Sequence, residues 1–323
     1  MFLKKIASNR ILWAFIVILG FLYSMTISIL TNVLFEQIEP RWIVFFRTSL
    51  IVVFLAIATF MIIEAINAFA FKKHTSIFVF SLLILFLTLP NDSIIESISS
   101  NHLEVKNTLI TILKSPYIYL SIIAMILFFV SYKYISQAKD NRNLNAILSN
   151  SLLLTFIMVL IFVFTKFILY SLFFYWPIAL FIFSIPVVCD SFGFFGGLAL
   201  GKRLIHRPFS PMISPKKTWE GFFFALIGGA IAACFIVFSF SEFRSIFKHG
   251  QISTKIENIF LFISLLAFAP LISIFGDLFF SWVKRVNNIK DFSNLLQGHG
   301  GVLDRFDSMI CLSFYMLFLI LIY

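Results

Sequence analysis

Charged residues are scarce in this chain. Asp, Glu, Lys and Arg make up 12% of its 323 residues, whereas 60% of the residues are hydrophobic. This composition excludes an ordinary soluble domain, in which about a quarter of the residues are charged. Cysteine is also scarce, and the isolated cysteines Cys189, Cys234 and Cys311 lie in or beside apolar segments. This pattern excludes a disulfide framework and gives no support to a zinc site.

The excess of basic residues is the next feature. The formal net charge is +10, which in a soluble chain would point towards nucleic acid. No soluble basic domain exists here to carry that charge, so nucleic acid is not expected as a partner. Anionic membrane lipids and phosphate compounds are the expected partners instead.

Long apolar runs fill most of the chain. A membrane-spanning helix needs about 20 mostly apolar residues, and nine segments meet or approach that length. We therefore predict an all-α fold, a polytopic integral membrane helical bundle with about nine transmembrane helices. The first of them is expected to be uncleaved. The predicted spans are 11–34, 48–71, 76–90, 117–135, 147–165, 167–188, 222–241, 258–280 and 307–323, with the fifth and sixth divided around Lys166.

The distribution of Lys and Arg predicts the orientation. If the N-terminus is cytoplasmic, the loops on its side hold about two thirds of the 25 Lys and Arg residues, as the positive-inside rule requires. The C-terminus is then outside, and the protein is expected in the cell (plasma) membrane. Residues 1–146 form an N-terminal region of about four spans. Residues 147–323 form a C-terminal region of about five spans with cytoplasmic loops 189–221 and 281–306, and the candidate functional residues described below lie in this region.

The first charged loop contains glycines and cations. Asp190 follows the sixth predicted span, and four glycines lead from it to Lys202. These glycines allow either close helix packing or contact with a phosphate, and both interpretations stay open. Ser214 and Pro215 predict a helix start, with Ser214 as the N-cap. Lys216 and Lys217 would then reinforce an anion site at the positive end of the helix, or anchor the following span.

The second charged loop carries more candidate groups. Asp277 lies near the end of the eighth predicted span, and Ser281 follows four residues later on the same helical face. A carboxylate at this depth is costly unless it is paired or binds a metal. The remaining candidates are the cations Lys284, Arg285, Lys290 and Arg305, the acids Asp291, Asp304 and Asp307, and the turn residues His299, Gly300 and Gly301.

Two of these carboxylates, Asp277 and Asp304, belong to different helices and can converge on one cation. Oxygen ligands without nearby cysteine favour Mg²⁺ over zinc. For Asp291 and Asp307, ion pairs or helix caps are equally good explanations. We expect His299 to contact phosphate or to organise its loop, and Gly300 and Gly301 to allow a tight turn and close approach of a phosphate ligand. Further candidates for phosphate contact are Lys202, Ser214 and Ser281. Glu64 lies inside the second span, and a structural partner such as Asn67 is favoured over a catalytic role.

The order and spacing of these residues resemble the phosphatidate cytidylyltransferase (CDP-diacylglycerol synthase) family. The first motif reads Ser281-x-x-Lys284-Arg285-x4-Lys290-Asp291. The second reads His299-Gly300-Gly301-x-x-Asp304-Arg305-x-Asp307. Upstream, Gly276-Asp277-Leu278 and the segment from Ser214 to Gly221 also resemble that family. Gln297 stands where the family pattern has proline, and Phe194 stands where it has tyrosine.

The resemblance implies an enzyme that joins CTP and phosphatidic acid to give CDP-diacylglycerol and pyrophosphate. It implies Mg²⁺ at Asp277 and Asp304, with K⁺ as a candidate companion. The same resemblance assigns Lys284, Arg285, Lys290, His299 and Arg305 to the reacting phosphates. A homodimer is left open. The rival functions are a CTP-dependent lipid-alcohol kinase and a membrane transporter.

Overall fold

The structure is a computed structural model. It describes residues 19–32, 37–69, 114, 116–136, 143–201, 203, 205–240, 243, 255–295 and 300–322. Over these residues the chain is nearly all helical, as predicted, with one short β-hairpin. The elements are α1 Leu19–Asn32, α2 Pro40–Ala68, α3 Pro116–Ser136, α4 Leu144–Phe174, α5 Trp176–Leu200, β1 Pro208–Ser210, β2 Ser214–Thr218, α6 Trp219–Ser239, α7 Lys255–Val286 and α8 Leu303–Ile322.

Seven of the described helices, α2 to α8, are long and apolar enough to cross a membrane. The predicted span 76–90 lies outside the described residues, and the first predicted span is described only over α1. The expected number of about nine spans is therefore not confirmed. The multi-pass character of the chain is confirmed.

Several predicted helix boundaries are wrong. The fifth and sixth spans do not divide at Lys166, which is buried within α4 with its ammonium 4.7 Å from the Phe162 ring centroid. The division falls at Tyr175, where Pro177 in the first turn starts α5. α2 likewise begins early, at Pro40 rather than residue 48.

The described residues form two compact units. One contains residues up to Leu169 together with Asp291–Asp304, and the other contains Tyr170–Lys290 and the chain from Arg305 onwards. In the first unit, α2 and α4 contribute fully buried residues such as Leu50, Ala58 and Phe164. The predicted functional division at residues 146 and 147 stays a prediction.

In the second unit, α5 and α6 make the most extensive helix contact, and glycines make it possible. A Cβ atom at Gly221 would lie 2.8 Å from the Gly193 carbonyl oxygen, and one at Gly228 would overlap the Phe192 side chain. Small residues let membrane helices approach closely. The helix α5 can therefore continue alongside α6 where a loop was predicted. α5 therefore extends to Leu200. The predicted loop start at residue 189 is wrong, and Asp190 is a helical residue.

A two-stranded antiparallel hairpin connects α5 to α6. Pro208 pairs with Thr218 and Ser210 with Ser214, with an irregular register between them. The hairpin is fixed to α6 by aromatic packing. Phe209 stacks on Phe222 with ring centroids 4.6 Å apart and meets the edge of Trp219 at 4.7 Å.

The close contact of α5 and α6 predicts a large difference between two alanine substitutions. Gly221→Ala should lower stability by about 1–3 kcal/mol, as overpacking of a tight contact does, because backbone must shift to admit the methyl group. Gly193→Ala is the matched control, since its nearest neighbours would be 3.4 and 3.5 Å away. Thermal unfolding in detergent measures both variants. Equal midpoints for the two would contradict the packing described here.

Candidate functional site

The helix predicted to start at Ser214 is absent. Ser214, Pro215, Lys216 and Lys217 belong to strand β2, and α6 begins at Trp219. Pairing with β1 occupies this segment, and the side chain of Thr218, not Ser214, caps α6 by accepting the Gly221 N–H at 3.1 Å. The two lysines therefore lie on a strand directly before the N-cap of α6, not in the first turn of a helix.

A cavity of about 550 Å³ lies among α5, α6, α7 and the hairpin in the second unit. Two carboxylates and two ammonium groups line it, together with glycines and aromatic rings. The four charged side chains are Asp190, Lys216, Lys217 and Asp277. Cations suit the phosphates of a substrate, and carboxylates suit a divalent metal. The cavity is thus chemically fitted to an anionic ligand that brings or shares a metal ion.

Asp277 is the best-connected acid of the cavity. One of its oxygens forms an ion pair with the Lys217 ammonium, and the other accepts the Ser281 hydroxyl at 3.3 Å. Lys217 comes from β2 and Asp277 from α7, so this pair ties the hairpin to a membrane helix. The predicted shared face of Asp277 and Ser281 is confirmed by this hydrogen bond.

Further charged groups act on the same carboxylates. Asp190 experiences Asp277 as a like charge, and Lys217 and Arg305 as opposite charges. Asp307 is buried in α8 near Lys284 and Asp277, and it accepts the Ser308 backbone N–H at 2.6 Å. The structure therefore brings six of the predicted residues into one electrostatic cluster, namely Asp190, Lys217, Asp277, Lys284, Arg305 and Asp307.

The end of α7 differs from the prediction. The helix does not stop at residue 280 but continues to Val286, so Ser281, Lys284 and Arg285 are helical rather than loop residues. Ile289 N–H donates to Lys284 C=O and Asn288 N–H to Arg285 C=O, with Asn288 at φ 55°. This is a Schellman motif, in which a left-handed residue closes a helix. Lys290 and Asp291 follow it and are exposed.

Arg285 fixes the hairpin turn to the same helix end. Its Nε donates to the Ile213 carbonyl at 3.3 Å, and its Nη1 donates to the Ile289 carbonyl at 3.2 Å. The predicted phosphate contact of Arg285 stays a prediction, and the contacts described give it a structural role.

In the first unit, a second group of polar contacts surrounds the start of α8. Asp304 accepts the backbone N–H groups of Phe292 at 2.9 Å and Gly301 at 2.8 Å. Glu64 accepts from Ser293, Val302 and Leu303. Asn67, the partner expected for Glu64, is exposed instead. The sequence shows a carboxylate inside an apolar helix, which indicates that Glu64 needs a partner. It does not indicate which partner, because the partners lie more than 200 residues away in sequence.

Two predicted residues, Lys202 and His299, lie outside the described residues. Asp277 and Asp304 belong to different units, and their sharing of a cation stays a prediction. The predicted phosphate contacts of Gly300 and Gly301 are also untested. Glu64, Thr218 and Glu220 were not predicted as site residues. Thr218 caps α6, and the Glu220 carboxylate accepts the Ile205 N–H at 2.8 Å.

A metal ion would find a suitable donor set at the cavity. Among the residues that the structure describes, no group of three or more His, Cys, Asp or Glu side chains is placed to hold one. Mg²⁺ does not require such a group, because it commonly takes one or two carboxylates and completes its octahedron with water and substrate phosphates. Asp190 and Asp277, both lining the cavity, fit that requirement.

The helices and this cavity define a multi-pass helical membrane protein with a site of mixed charge at the ends of its spans. The chain belongs to the cytidylyltransferase family, whose model matches residues 8–323. The family resemblance of the motifs is thereby confirmed.

Individual relatives match this chain over shorter stretches. The chain is 41% identical over 130 residues to a protein named phosphatidate cytidylyltransferase from Haemophilus influenzae, which covers 40% of this chain and 41% of that protein. It is 34% identical over 165 residues to a putative phosphatidate cytidylyltransferase from Mycoplasma pneumoniae, which covers 41% and 40%. A phosphatidate cytidylyltransferase from Rickettsia bellii is 39% identical over 135 residues, which cover 42% and 53%. The matched segment thus spans about half or less of each relative.

The contacts of Arg285 predict a local effect on the hairpin. Arg285→Lys keeps the charge but loses the planar fork that reaches two carbonyls, so amide hydrogen exchange in Pro208–Thr218 should become several-fold faster. Hydrogen–deuterium exchange with mass spectrometry in detergent measures this. Arg207→Lys, at an exposed position near β1, is the control. Unchanged exchange in Arg285→Lys would show that the hairpin does not depend on this contact.

Proposed function

We propose that this protein transfers the cytidylyl group of CTP to phosphatidic acid, giving CDP-diacylglycerol and pyrophosphate. The observation that carries the proposal is the cavity of about 550 Å³ that is lined by Lys216, Lys217, Asp190 and Asp277. Family membership and the names of the relatives support the choice of substrates. The lipid-alcohol kinase and the transporter have no comparable support.

The proposed reaction joins two anions. A phosphate oxygen of phosphatidic acid forms a bond to the α-phosphorus of CTP, and the bond from that phosphorus to the bridging oxygen breaks and releases pyrophosphate. Electrostatic repulsion opposes this approach, so fixed cations contribute directly to the rate. Lys216 and Lys217 line the cavity, and the charge of Arg305 acts on Asp190, another residue of the cavity lining. We assign these cations to the phosphates of the two substrates, together with Lys202, Lys284, Arg285, Lys290 and His299.

Mg²⁺ is the proposed cofactor, and K⁺ is a proposed companion ion. When bound, a divalent ion neutralises phosphate charge and orients the nucleophile and leaving group. We assign Asp277 and Asp304 as the carboxylates that hold it, with Asp190 as a further candidate at the cavity. Ser281 would orient Asp277 through the hydrogen bond between them.

Access to both substrates follows from the position of the cavity at the ends of membrane helices. The hairpin that supplies the lysines connects two candidate spans, α5 and α6, so it lies at a membrane face. A site there can receive a soluble nucleotide from one side and a two-chain lipid laterally. We propose the cytoplasmic face of the cell membrane, where CTP is present.

An assay with CTP labelled at the α-phosphate tests the function. Purified protein, phosphatidic acid and Mg²⁺ should transfer the label into the lipid fraction, because the α-phosphorus stays with the cytidylyl group. A CTP-dependent kinase would leave the label in soluble CDP, and a transporter would leave it in CTP. Asp277→Asn and Asp304→Asn should each lower turnover by at least about 100-fold if the carboxylates hold the metal.

Glu39→Gln is the control for these variants, because Glu39 is exposed at the start of α2. It should retain wild-type turnover. Near-normal turnover in folded Asp277→Asn or Asp304→Asn would remove that residue from the proposed metal site.

The proposed orientation is tested separately. The positive-inside rule predicts a cytoplasmic N-terminus and an outside C-terminus. A reporter that is active only outside the cytoplasm, fused after Tyr323, should be active. A cytoplasmic C-terminus would overturn the orientation. The homodimer stays a prediction.

A further inference from the structure

A buried acid of α2 meets the segment that precedes α8. Glu64 is 4% exposed. Its Oε1 accepts the Ser293 hydroxyl at 2.6 Å and the Val302 N–H at 2.9 Å, and its Oε2 accepts the Leu303 N–H at 2.7 Å. Both carboxylate oxygens are thus engaged by groups that lie more than 220 residues further along the chain.

These contacts place a negative charge at the start of a 20-residue helix. The first N–H groups of a helix have no partner within it, and the helix dipole favours an anion at that end. A side chain one to three residues upstream usually satisfies these groups. In α8 the acceptor comes instead from another membrane helix, so the start of α8 is fixed to α2.

Two carboxylates occupy the space that side chains at Gly300 and Gly301 would need. A Cβ atom at Gly301 would lie 2.6 Å from the Cδ atom of Glu64, so a larger residue fits only if the Glu64 carboxylate moves away from its donors. Gly300 has φ 80°, a conformation that favours glycine, and a Cβ atom there would lie 2.8 Å from Oδ2 of Asp304. Asp304 itself accepts the N–H groups of Phe292 and Gly301. Asp304 therefore links Phe292 to Gly301. Glu64, from α2, links Ser293 to Val302 and Leu303.

We propose that Glu64 is a positioning residue that fixes Ser293 and residues 301–304 and, through them, the direction of the Asp304 carboxylate. The catalytic part of this inference rests on the proposed function, and the conformational part does not. Burying a carboxylate in a membrane helix is costly, and an apolar side chain would pack α2 without that cost. The Glu64 carboxylate accepts hydrogen bonds from three donors, which an apolar side chain could not do.

A double-variant cycle tests the conformational part without any activity measurement. In the wild-type background, Gly301→Ala should lower the thermal midpoint of the full chain in detergent, because the methyl group collides with Glu64. In the Glu64→Ala background the same change should lower the midpoint much less, because the collision is gone. Equal shifts in the two backgrounds would overturn the proposal.

The kinetic test uses Glu64→Gln, which keeps the size of the side chain but replaces one acceptor oxygen by a donor. One of the three N–H or O–H groups then faces an NH₂ group and loses its acceptor. We expect kcat to fall about 10–100-fold and the Mg²⁺ concentration for half-maximal rate to rise, as for other groups that orient a metal ligand. The KM for phosphatidic acid should stay unchanged. A purely structural role would lower the amount of folded protein and leave these constants as they are.

Two controls match this variant. Glu39→Gln removes the same charge at an exposed position, and Asn67→Ala changes an exposed residue one turn beyond Glu64 in α2. Both should retain wild-type constants. Wild-type kcat and Mg²⁺ requirement in folded Glu64→Gln would overturn the catalytic part. If the wild-type chain formed no lipid product, the proposed function would fail, and the double-variant cycle would still decide whether Glu64 fixes the segment.

Discussion

Carboxylates at the ends of membrane helices must be met by donors or cations of the protein, because little water is present to solvate them. Asp277 is met by Lys217 and Ser281. Glu64 is met by one hydroxyl and two backbone N–H groups. Each of the two acids has at least one partner from a segment distant in sequence, Lys217 for Asp277 and residues 293–303 for Glu64. These two acids therefore hold two non-helical segments, the hairpin and the residues that precede α8, against helices α7 and α2.

The hairpin between α5 and α6 shows how this constraint prepares a site. Aromatic packing on α6 and the Arg285 contact fix its backbone, while Lys217 reaches Asp277 across the cavity. The lysines stand on a strand that leads directly into the N-cap of α6. An ammonium group on a flexible stem can exchange one anionic partner for another. A lysine that neutralises Asp277 can thus also serve a phosphate that enters the cavity.

Hydropathy was enough to predict the spans that the structure describes, but it misplaced their ends. α5 runs past its predicted end where glycines pack it against α6. α7 continues until a Schellman motif closes it. Neither feature is visible in a hydropathy count. The strands Pro208–Ser210 and Ser214–Thr218 are too short to show a period, so Ser214-Pro215 was interpreted as a helix start. The acids Asp190 and Asp277 could be predicted as site residues because charge inside an apolar chain needs a reason. The partners of Glu64 could not be predicted, since nothing local links residue 64 to residues 293–303.

The glycines before α8 have a further consequence for substrate recognition. A glycine-rich turn at a helix start normally indicates backbone N–H groups that bind phosphate. Here the N–H groups of Gly301, Val302 and Leu303 donate to Asp304 and Glu64. A phosphate could reach these three groups only by displacing a carboxylate, and it would also meet the negative charge that was displaced. Phosphate is therefore better bound by side-chain cations, and the small size of Gly301 is explained by the carboxylate that packs against it.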